Sequence, residues 1–316
     1  MSGVATVTPN PALDLTTLLP VLTPGAVNRV RDAQEDPGGK GINVAGFIAS
    51  QAPDVAVAAT GWLGEANAAP FHAFLAATGI TNHFIGVPGS TRINVKIVED
   101  DERVTDLNLP GFAVEAAIEE ALLETTGMLA RGHAWVALCG SLPRGAAPDL
   151  HARLLRRARE AGAKVMLDAS GPSLEAALGG RPDCIKPNGE ELGELLGERI
   201  AGVADAAGAA GRIQARGVGT VIVSLGAEGA VFAEGTLRVH AVGRPSALRS
   251  TVGAGDAMVA GWLLGVLRGL SLPDRARLAT AFSLGALSTL GPRLPPPAEI
   301  EALASAVTVH TLPGAT

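Results

Sequence analysis

Short, almost wholly apolar runs alternate with amphipathic stretches in the second half of the chain. Residues 114–130, 147–161 and 205–216 have the spacing of amphipathic helices, and a final helix is expected after a proline-rich segment at 291–297. The apolar runs are residues 134–138, 164–168, 184–186 and 220–224. Such runs are typical of strands buried on both faces of a parallel sheet. The pattern predicts an α/β fold with helices on both sides of a mainly parallel sheet.

A different pattern marks residues 88–110 and 11–36. From Arg92 to Val98 polar and apolar side chains alternate, which indicates a strand with one polar, cationic face, and a return strand follows at 105–111. Residues 15–36 have no helical period and are interpreted as short strands and loops outside the main sheet. We predict one domain over residues 1–316, with a small β-sheet lid from about 11–36 and 88–110. The alternative for the polar face is an ordinary solvent-facing surface.

The composition fits a globular chain with an ample core. The 316 residues are 47% hydrophobic and 18% charged, with a net charge of −6. This balance gives no reason to expect nucleic acid or an anionic membrane as partner. There is no run of about 20 apolar residues and no signal-peptide pattern. Cys139 and Cys184 are interpreted as buried thiols in a reducing compartment, so a cytoplasmic protein is expected.

The sequence STVGAGDAM at residues 250–258 leads into an apolar segment and predicts a glycine-rich turn at the start of a buried helix. Gly253 and Gly255 leave the backbone open to a ligand. The first amides of a helix lack internal partners and carry partial positive charge, which suits a phosphate. Asp256 at this position fits a base that takes a proton from an attacking hydroxyl. The alternative is an Asp that only caps the helix.

A second glycine-rich segment, PGGKGINVAG at residues 37–46, predicts the start of a helix that continues to about Gln51. Its glycines allow a ligand to approach closely, and Lys40 supplies a point charge suited to phosphate. The spacing does not match a P-loop. Asn43, one turn into the helix, could reach a sugar hydroxyl or face solvent. The alternative for the segment is a flexible loop with a solvated lysine.

Polar, glycine-rich turns follow each predicted strand of the parallel sheet. They begin at Gly140-Ser141, Asp168, Lys186-Pro-Asn188 and Ser224-Leu-Gly226. Open α/β sheets bind ligands at the carboxyl ends of their strands. Four such turns in series, ahead of the turn at Gly253, favour a bound nucleotide or phosphosugar.

Two stretches, GGKGINVA at 38–45 and TVGAGDA at 251–257, resemble the two signatures of the ribokinase-like (PfkB) carbohydrate kinases. KPN at 186–188, followed by Glu191, lies between them. TPNPALD at 8–14, TRINVK at 91–96 and SLGAEGA at 224–230 extend the resemblance to the phosphosugar branch of the family. The family commonly has Asp where this chain has Ser250, so no monovalent-cation role is assigned to that position.

The resemblance implies a fold and an activity. The fold is a ribokinase-like three-layer α/β/α sandwich with a β-sheet lid that often dimerises with a neighbour's lid, so a homodimer is expected. The activity is transfer of the γ-phosphate of ATP, accompanied by Mg²⁺, to the free primary hydroxyl of a sugar phosphate. The run of matching stretches favours fructose 1-phosphate as acceptor. The alternatives are tagatose 6-phosphate, fructose 6-phosphate and a non-catalytic sugar-phosphate sensor.

The resemblance also implies roles for individual residues. Asp256 is the expected base, and the anion hole is expected from the amides of Gly253, Ala254 and Gly255. The expected contacts on the sugar side are Asp14, Gly39, Asn43 and Ser141. The phosphate already on the sugar is expected to meet Lys40, Arg92 and, as a further candidate, Lys96. The expected nucleotide contacts are Lys186, Asn188, Ser224, Leu225, Gly226, Ala227, Glu228, Gly229 and Gly255. Asn188 and Glu191 are expected to order Mg²⁺ through water.

Overall fold

Strands and helices alternate along most of the chain. The computed structural model describes residues 3–101, 103–249 and 251–313. The strands are β1 Gly3–Thr8, β2 Ala12–Leu19, β3 Asp32–Gly38, β4 Ala56–Gly64, β5 Thr81–Asn82, β6 Ile85–Val87, β7 Arg92–Glu99, β8 Val104–Asn108, β9 Trp135–Cys139, β10 Lys164–Asp168, β11 Cys184–Ile185, β12 Thr220–Ser224, β13 Ala230–Glu234, β14 Leu237–Val242 and β15 Thr308–Thr311. The helices are α1 Lys40–Gln51, α2 Ala69–Ala77, α3 Ala116–Gly132, α4 Leu150–Glu160, α5 Gly171–Leu178, α6 Gly189–Leu196, α7 Val203–Ala215, α8 Ala254–Leu267, α9 Leu272–Leu287 and α10 Pro297–Ala306.

The larger sheet has the strand order β15-β14-β13-β12-β11-β10-β9-β1-β4-β5, with β6 beside β4. Neighbours from β12 to β5 are parallel, whereas the pairs from β12 to β15 are antiparallel. The predicted mainly parallel sheet is confirmed. The antiparallel extension is a difference from the prediction, which closed the chain with a helix. Polar and apolar residues mix in β14 and β15, so these strands lack the apolar run that identified the others.

Side chains alternate along the central strands between two helical layers. In β1, Val4 packs in a core cluster with residues of α1, α8 and α9. Ala5 and Val7 of the same strand pack in a second cluster with residues of α3, α4 and α7. The sheet separates the two clusters, so the three-layer α/β/α arrangement is confirmed.

Helix α8 is apolar on all sides, and its residues from Asp256 to Gly265 are buried. A helix of this composition belongs in an interior. Gly261 lets α8 approach α9 closely, because a Cβ there would lie 2.9 Å from the Cα of Ala279. This packing fixes the axis of α8 and therefore the direction in which its N-terminus points.

The smaller sheet has the order β3-β2-β7-β8, with β2 parallel to β7 and the outer pairs antiparallel. It lies in the segments predicted to form the lid, and we call it the lid sheet. The loop predicted within residues 15–36 is present at 20–31, but the strands on either side of it are longer than predicted, with eight residues in β2 and seven in β3. The residues of β3 from 32 to 35 are all exposed, so their polar run carries no alternating pattern. The extent of the single domain, 1–316, stays a prediction.

Candidate active site

Residues from both halves of the chain meet at the carboxyl edge of the parallel strands. Strand β10 ends at Asp168, and Ser141 and Lys186 follow the ends of β9 and β11. Because these strands are parallel, their ends lie on one edge of the sheet. The N-terminal turns of α1 and α8 also meet, since Asn43 in α1 donates a hydrogen bond to Asp256 in α8. Two distant motifs thus share one cleft.

Asp256 lies in the first turn of α8, directly after a turn suited to glycine. Gly253, the N-cap residue, has φ of 75°, in the left-handed region. Oδ2 of Asp256 accepts a hydrogen bond of 2.8 Å from Nδ2 of Asn43, and the residue is only 7% exposed. Burial, with help from the nearby carboxylate of Asp168, raises the pKa of Asp256 to about 6. Such a carboxylate is a suitable base near neutral pH.

The turn before Asp256 offers backbone amides to an anion. The N-cap residue of α8, Gly253, has no side chain to accept from the first amides, and the Asp256 carboxylate accepts from Asn43. Gly255 faces the ammonium of Lys186, because a Cβ on this glycine would lie 3.2 Å from Nζ. The helix terminus and the lysine therefore present positive charge to the same space.

Asp168 links two lysines at the centre of the cleft. Its Oδ1 lies 3.2 Å from Nζ of Lys40 and 3.5 Å from Nζ of Lys186, and the side chain is 1% exposed. Burial raises the pKa of Asp168, but Lys186 and Lys40 outweigh it and hold the pKa below its ordinary value. Oδ2 of Asp168 is buried and has no hydrogen-bond partner among the described residues. Asp168 is thus a charged, buried carboxylate in which Oδ1 has partners and Oδ2 has none among the described residues.

Asp14, Arg92 and Ser141, which were predicted to contact the sugar phosphate, belong to a second set of contacts beside β2. Oδ1 of Asp14 accepts a hydrogen bond of 2.9 Å from Asn94, its register partner on β7. Burial raises the pKa of Asp14, against the lowering effect of Asn94 and Arg92. The Arg92 guanidinium donates to the carbonyls of Pro11 and Asn10, both at 3.3 Å. The Asn10 amide in turn donates to Oγ of Ser141 at 3.1 Å.

Gly39 and Lys96 occupy different surroundings. Gly39 has φ of 123°, and a Cβ there would lie 3.0 Å from the Cα of Pro11, so a side chain would displace the segment around Pro11. Lys96 pairs with Asp106 across the lid sheet, with 2.7 Å between Nζ and Oδ1. The structure therefore brings Gly39 to the cleft and holds Lys96 in a pair within the lid sheet.

Five of the nine predicted nucleotide residues border an open cavity of about 990 Å³, whereas Lys186, Ala227, Gly229 and Gly255 are not in its lining. Asn188 and Glu191 form a capping box at the start of α6, in which each side chain accepts from the other residue's backbone amide. Asn188 also forms a β-bridge with Ser224. The turn after Ser224 is a short 3₁₀ segment over Gly226–Glu228, which contains Ala227 and lies between Leu225 and Gly229. The cavity is lined by Asn188, Ser224, Leu225, Gly226, Glu228 and residues of α6 and the segment after it.

Other sequence-based expectations concern metals, thiols and membranes. Across the described ranges, no group of three or more His, Cys, Asp or Glu is placed to hold a metal ion. Cys139 and Cys184 are buried free thiols, and burial raises the pKa of each well above its usual value. None of the helices in the described ranges combines the length and apolarity that a bilayer crossing needs. Ser250 lies outside the described residues.

Three contributors to this cleft were not among the site residues predicted from the sequence: Asn10, Asn94 and Asp168, the last of which was named only as the start of a turn. Asp168 carried the clearest signal, since it is an acidic residue that closes an otherwise apolar strand. Asn94 lies on the polar face predicted for its strand. Nothing in the sequence indicated that Asp168 would contact Lys40, which is 128 positions away.

A buried carboxylate beside the N-terminus of α8, with two lysines nearby, fits a phosphotransferase site on an α/β sandwich. The model of the pfkB family of carbohydrate kinases matches residues 10–299, so the chain belongs to that family. The predicted family and its kinase class are confirmed. A 1-phosphofructokinase from Rhodobacter capsulatus is 51% identical over 312 residues, 98% of each chain. Another, from Xanthomonas campestris, is 41% identical over 316 residues, 98% of each chain. Phosphofructokinase-2 from Escherichia coli, solved in complex with fructose-6-phosphate, has a TM-score of 0.88 and 27% identity, covering 96% of this chain and 99% of that one.

Proposed function

We propose that the chain transfers the γ-phosphate of ATP to the free primary hydroxyl of fructose 1-phosphate, giving fructose 1,6-bisphosphate. The observation that carries the proposal is the buried carboxylate of Asp256, with a pKa of about 6, at the N-terminus of α8. The matches to 1-phosphofructokinases over nearly the whole chain support this acceptor. The predicted function and enzyme class agree with these relatives.

Asp256 acts as the general base in this proposal. It takes the proton of the acceptor hydroxyl as the oxygen attacks the γ-phosphorus in line with the leaving ADP. The amide of Asn43 fixes the carboxylate by its hydrogen bond of 2.8 Å. The amides of Gly253, Ala254 and Gly255 stabilise the charge of the transferring group, which is the main contribution a protein makes to this reaction.

In this proposal Arg92 binds the phosphate already on the sugar. The sugar hydroxyls are contacted by Asp14, Gly39, Asn43 and Ser141. Within residues 3–101, 103–249 and 251–313, the half-buried Arg92 guanidinium donates to two backbone carbonyls, which leaves donors for an anion. Its pKa is lowered by burial, which Asp14 partly opposes, yet arginine stays charged at neutral pH. Lys40 and Lys96 were also predicted to contact this phosphate, but each already pairs with an Asp of the chain.

In this proposal ATP is bound by Lys186, by the turn after Ser224 and by the residues predicted to order Mg²⁺. Asn188 and Glu191 each use one side-chain oxygen in the capping box, so Glu191 retains an oxygen that can accept from metal-bound water. Buried Oδ2 of Asp168 is a further oxygen without a partner in the described part of the chain. These hard oxygen donors fit a hydrated Mg²⁺ that enters with ATP. When bound, Mg²⁺ neutralises charge on the nucleotide phosphates.

The test is ADP release with Mg-ATP across fructose 1-phosphate, tagatose 6-phosphate, fructose 6-phosphate, fructose and ribose. We expect kcat/KM for fructose 1-phosphate to exceed the others by about 100-fold, equivalent to about 2.7 kcal/mol of transition-state discrimination. Preference for tagatose 6-phosphate or fructose 6-phosphate keeps the mechanism and changes the acceptor. Preference for a sugar without phosphate contradicts the role of Arg92. Binding without turnover, in the wild type as in Asp256→Asn, would identify a sugar-phosphate sensor.

We further propose that two copies associate through the lid sheet. Val27 is 82% exposed, and large exposed apolar residues concentrate in and beside this sheet. They are Val21, Val27, Val30, Val104, Leu107 and Leu109. Light scattering should give twice the chain mass of 31.9 kDa, and Val27→Glu should halve it. Met128→Glu, at an exposed residue of α3, is the matched control, and a monomeric wild type contradicts the proposal. Location in the cytoplasm stays a prediction.

A further inference from the structure

Two cations of the cleft, Lys40 and Arg92, lie in different surroundings. The ammonium of Lys40 lies 3.2 Å from Asp168, which also contacts Lys186 at 3.5 Å. Lys186 lies against Gly255 of the turn before the base. A continuous chain of contacts therefore joins Lys40 to the residues proposed to hold the nucleotide phosphates and the transferring group.

Arg92 belongs to a different set of contacts. Its guanidinium contacts the backbone of Asn10 and Pro11, and its charge acts on Asp14. Asn10 extends this group to Ser141. These are the residues proposed to face the sugar.

The position of Lys40 in α1 also places it beside the residues proposed to carry out phosphoryl transfer. Lys40 and Asn43 are three residues apart, so their side chains lie on one face of the helix. Asn43 donates to Asp256 at 2.8 Å. Asp168 raises the pKa of Lys40 against the effect of burial, and the carboxylates of Asp256 and Glu191 add to the increase. The ammonium is therefore charged and lies among the carboxylates of the phosphoryl-transfer centre.

We propose that Lys40 contacts the phosphoryl group in transfer, and that the phosphate already on the acceptor is recognised by Arg92 without Lys40. Asp168 is a positioning residue whose Oδ1 holds both Lys40 and Lys186. The inference rests on the proposed kinase function and revises the role predicted for Lys40 from the sequence.

The step balances as an ordinary phosphoryl transfer from ATP. The acceptor oxygen forms a bond to the γ-phosphorus, while the bond from that phosphorus to the β,γ-bridging oxygen breaks and its electron pair leaves with ADP. The hydroxyl proton goes to Asp256. Lys40 stays protonated and donates to an equatorial oxygen of the moving group, where charge is greatest in the transition state.

The test compares Lys40→Met with Arg92→Met, using kcat and the calorimetric Kd for fructose 1-phosphate. Lys40→Met should lower kcat by roughly 10²- to 10³-fold, as for loss of one transition-state donor, and change the Kd less than threefold. Arg92→Met should weaken binding by roughly tenfold to a hundredfold, as for loss of a charged hydrogen bond. Lys40→Arg should recover part of kcat. Lys164→Met, at the opposite end of β10, is the control for a Lys→Met change, with both constants kept.

A Lys40→Met protein that binds fructose 1-phosphate as weakly as Arg92→Met, with kcat kept, overturns the inference. ATP hydrolysis in the absence of any acceptor is a second way to distinguish the two roles. Lys40→Met should lose this hydrolysis and Arg92→Met should keep it, because only a residue that contacts the transferring phosphoryl group should affect it. Failure of the proposed function looks different, since the wild type itself would then prefer another acceptor. The same comparison with that acceptor still tests Lys40.

Discussion

The buried position of Asp256 disfavours the ionised form of its carboxylate. Replacing Asp256 with an uncharged residue of the same shape should therefore stabilise the folded state. Burial is the main cause that raises its pKa from 3.8 to about 6. Asp256→Asn keeps the shape of the side chain and an oxygen that can accept from Asn43. The variant should lose at least roughly 10² in kcat, as expected for loss of a general base, and yet unfold at a higher denaturant concentration.

The magnitude follows from the pKa values in the folded and unfolded chain. Because the folded pKa is raised, the stability linked to Asp256 is fully present below 3.8 and is lost as pH rises through about 6. Each pKa unit corresponds to about 1.36 kcal/mol. At about pH 8 the ionised carboxylate therefore costs about 3 kcal/mol, whereas near pH 4.5 the cost is about 1 kcal/mol.

The assay is urea unfolding of wild type and Asp256→Asn at those two pH values. The free energy of unfolding of the variant should exceed that of the wild type by about 3 kcal/mol at the higher pH and by about 1 kcal/mol at the lower. Asp274→Asn is the matched control, since Asp274 holds the same place in α9 but is exposed and serves the cap. Its effect should stay within about 1 kcal/mol. A variant no more stable than wild type at the higher pH refutes the reasoning.

Three further changes have defined outcomes. Asp168→Asn removes a charge that raises the pKa of Asp256, so the acid limb of kcat/KM against pH should fall below about 6; an unchanged limb is inconsistent with this. Phe71→Ala empties a fully buried site and should cost about 3–5 kcal/mol in urea unfolding, with a cost below about 1 kcal/mol as the contrary result. Gly61→Ala places a Cβ 1.9 Å from the Thr8 carbonyl oxygen at φ of 148°, so circular dichroism of this variant should reveal a chain that does not fold.

The part of the fold that could be predicted is the part buried on both faces. Strands β9 to β12 are marked by apolar runs because helices cover both sides of them. Strand β3 has four exposed residues in a row, and β14 and β15 lie toward one end of the sheet, so burial imposes no such pattern on them. Their pairing partners, and not their own composition, decide that they are strands.

The candidate site could be predicted only in part, because some of its features are local in the sequence and others are not. Glycine-rich turns before helices are local features, so the segments around Lys40 and Asp256 could be recognised separately. Their relation is not local: Asn43 and Asp256 are 213 positions apart, and Lys40 meets Asp168 across 128 positions. Residue type alone assigned Lys40 to a phosphate without saying which one. Only the folded arrangement separates the surroundings of Lys40 from those of Arg92.

The position of β1 in the larger sheet also affects how the chain folds while it is being synthesised. This first strand lies between β4 and β9, so its neighbours are synthesised later, and β9 is complete only at Cys139. At roughly 5–20 residues per second, the N-terminal strand waits about 7–26 seconds for its second partner. During that time its six core residues have one edge without a partner, which is a point at which newly made chains can pair wrongly. Holdase chaperones should therefore act on nascent chains shorter than about 140 residues more than on longer ones.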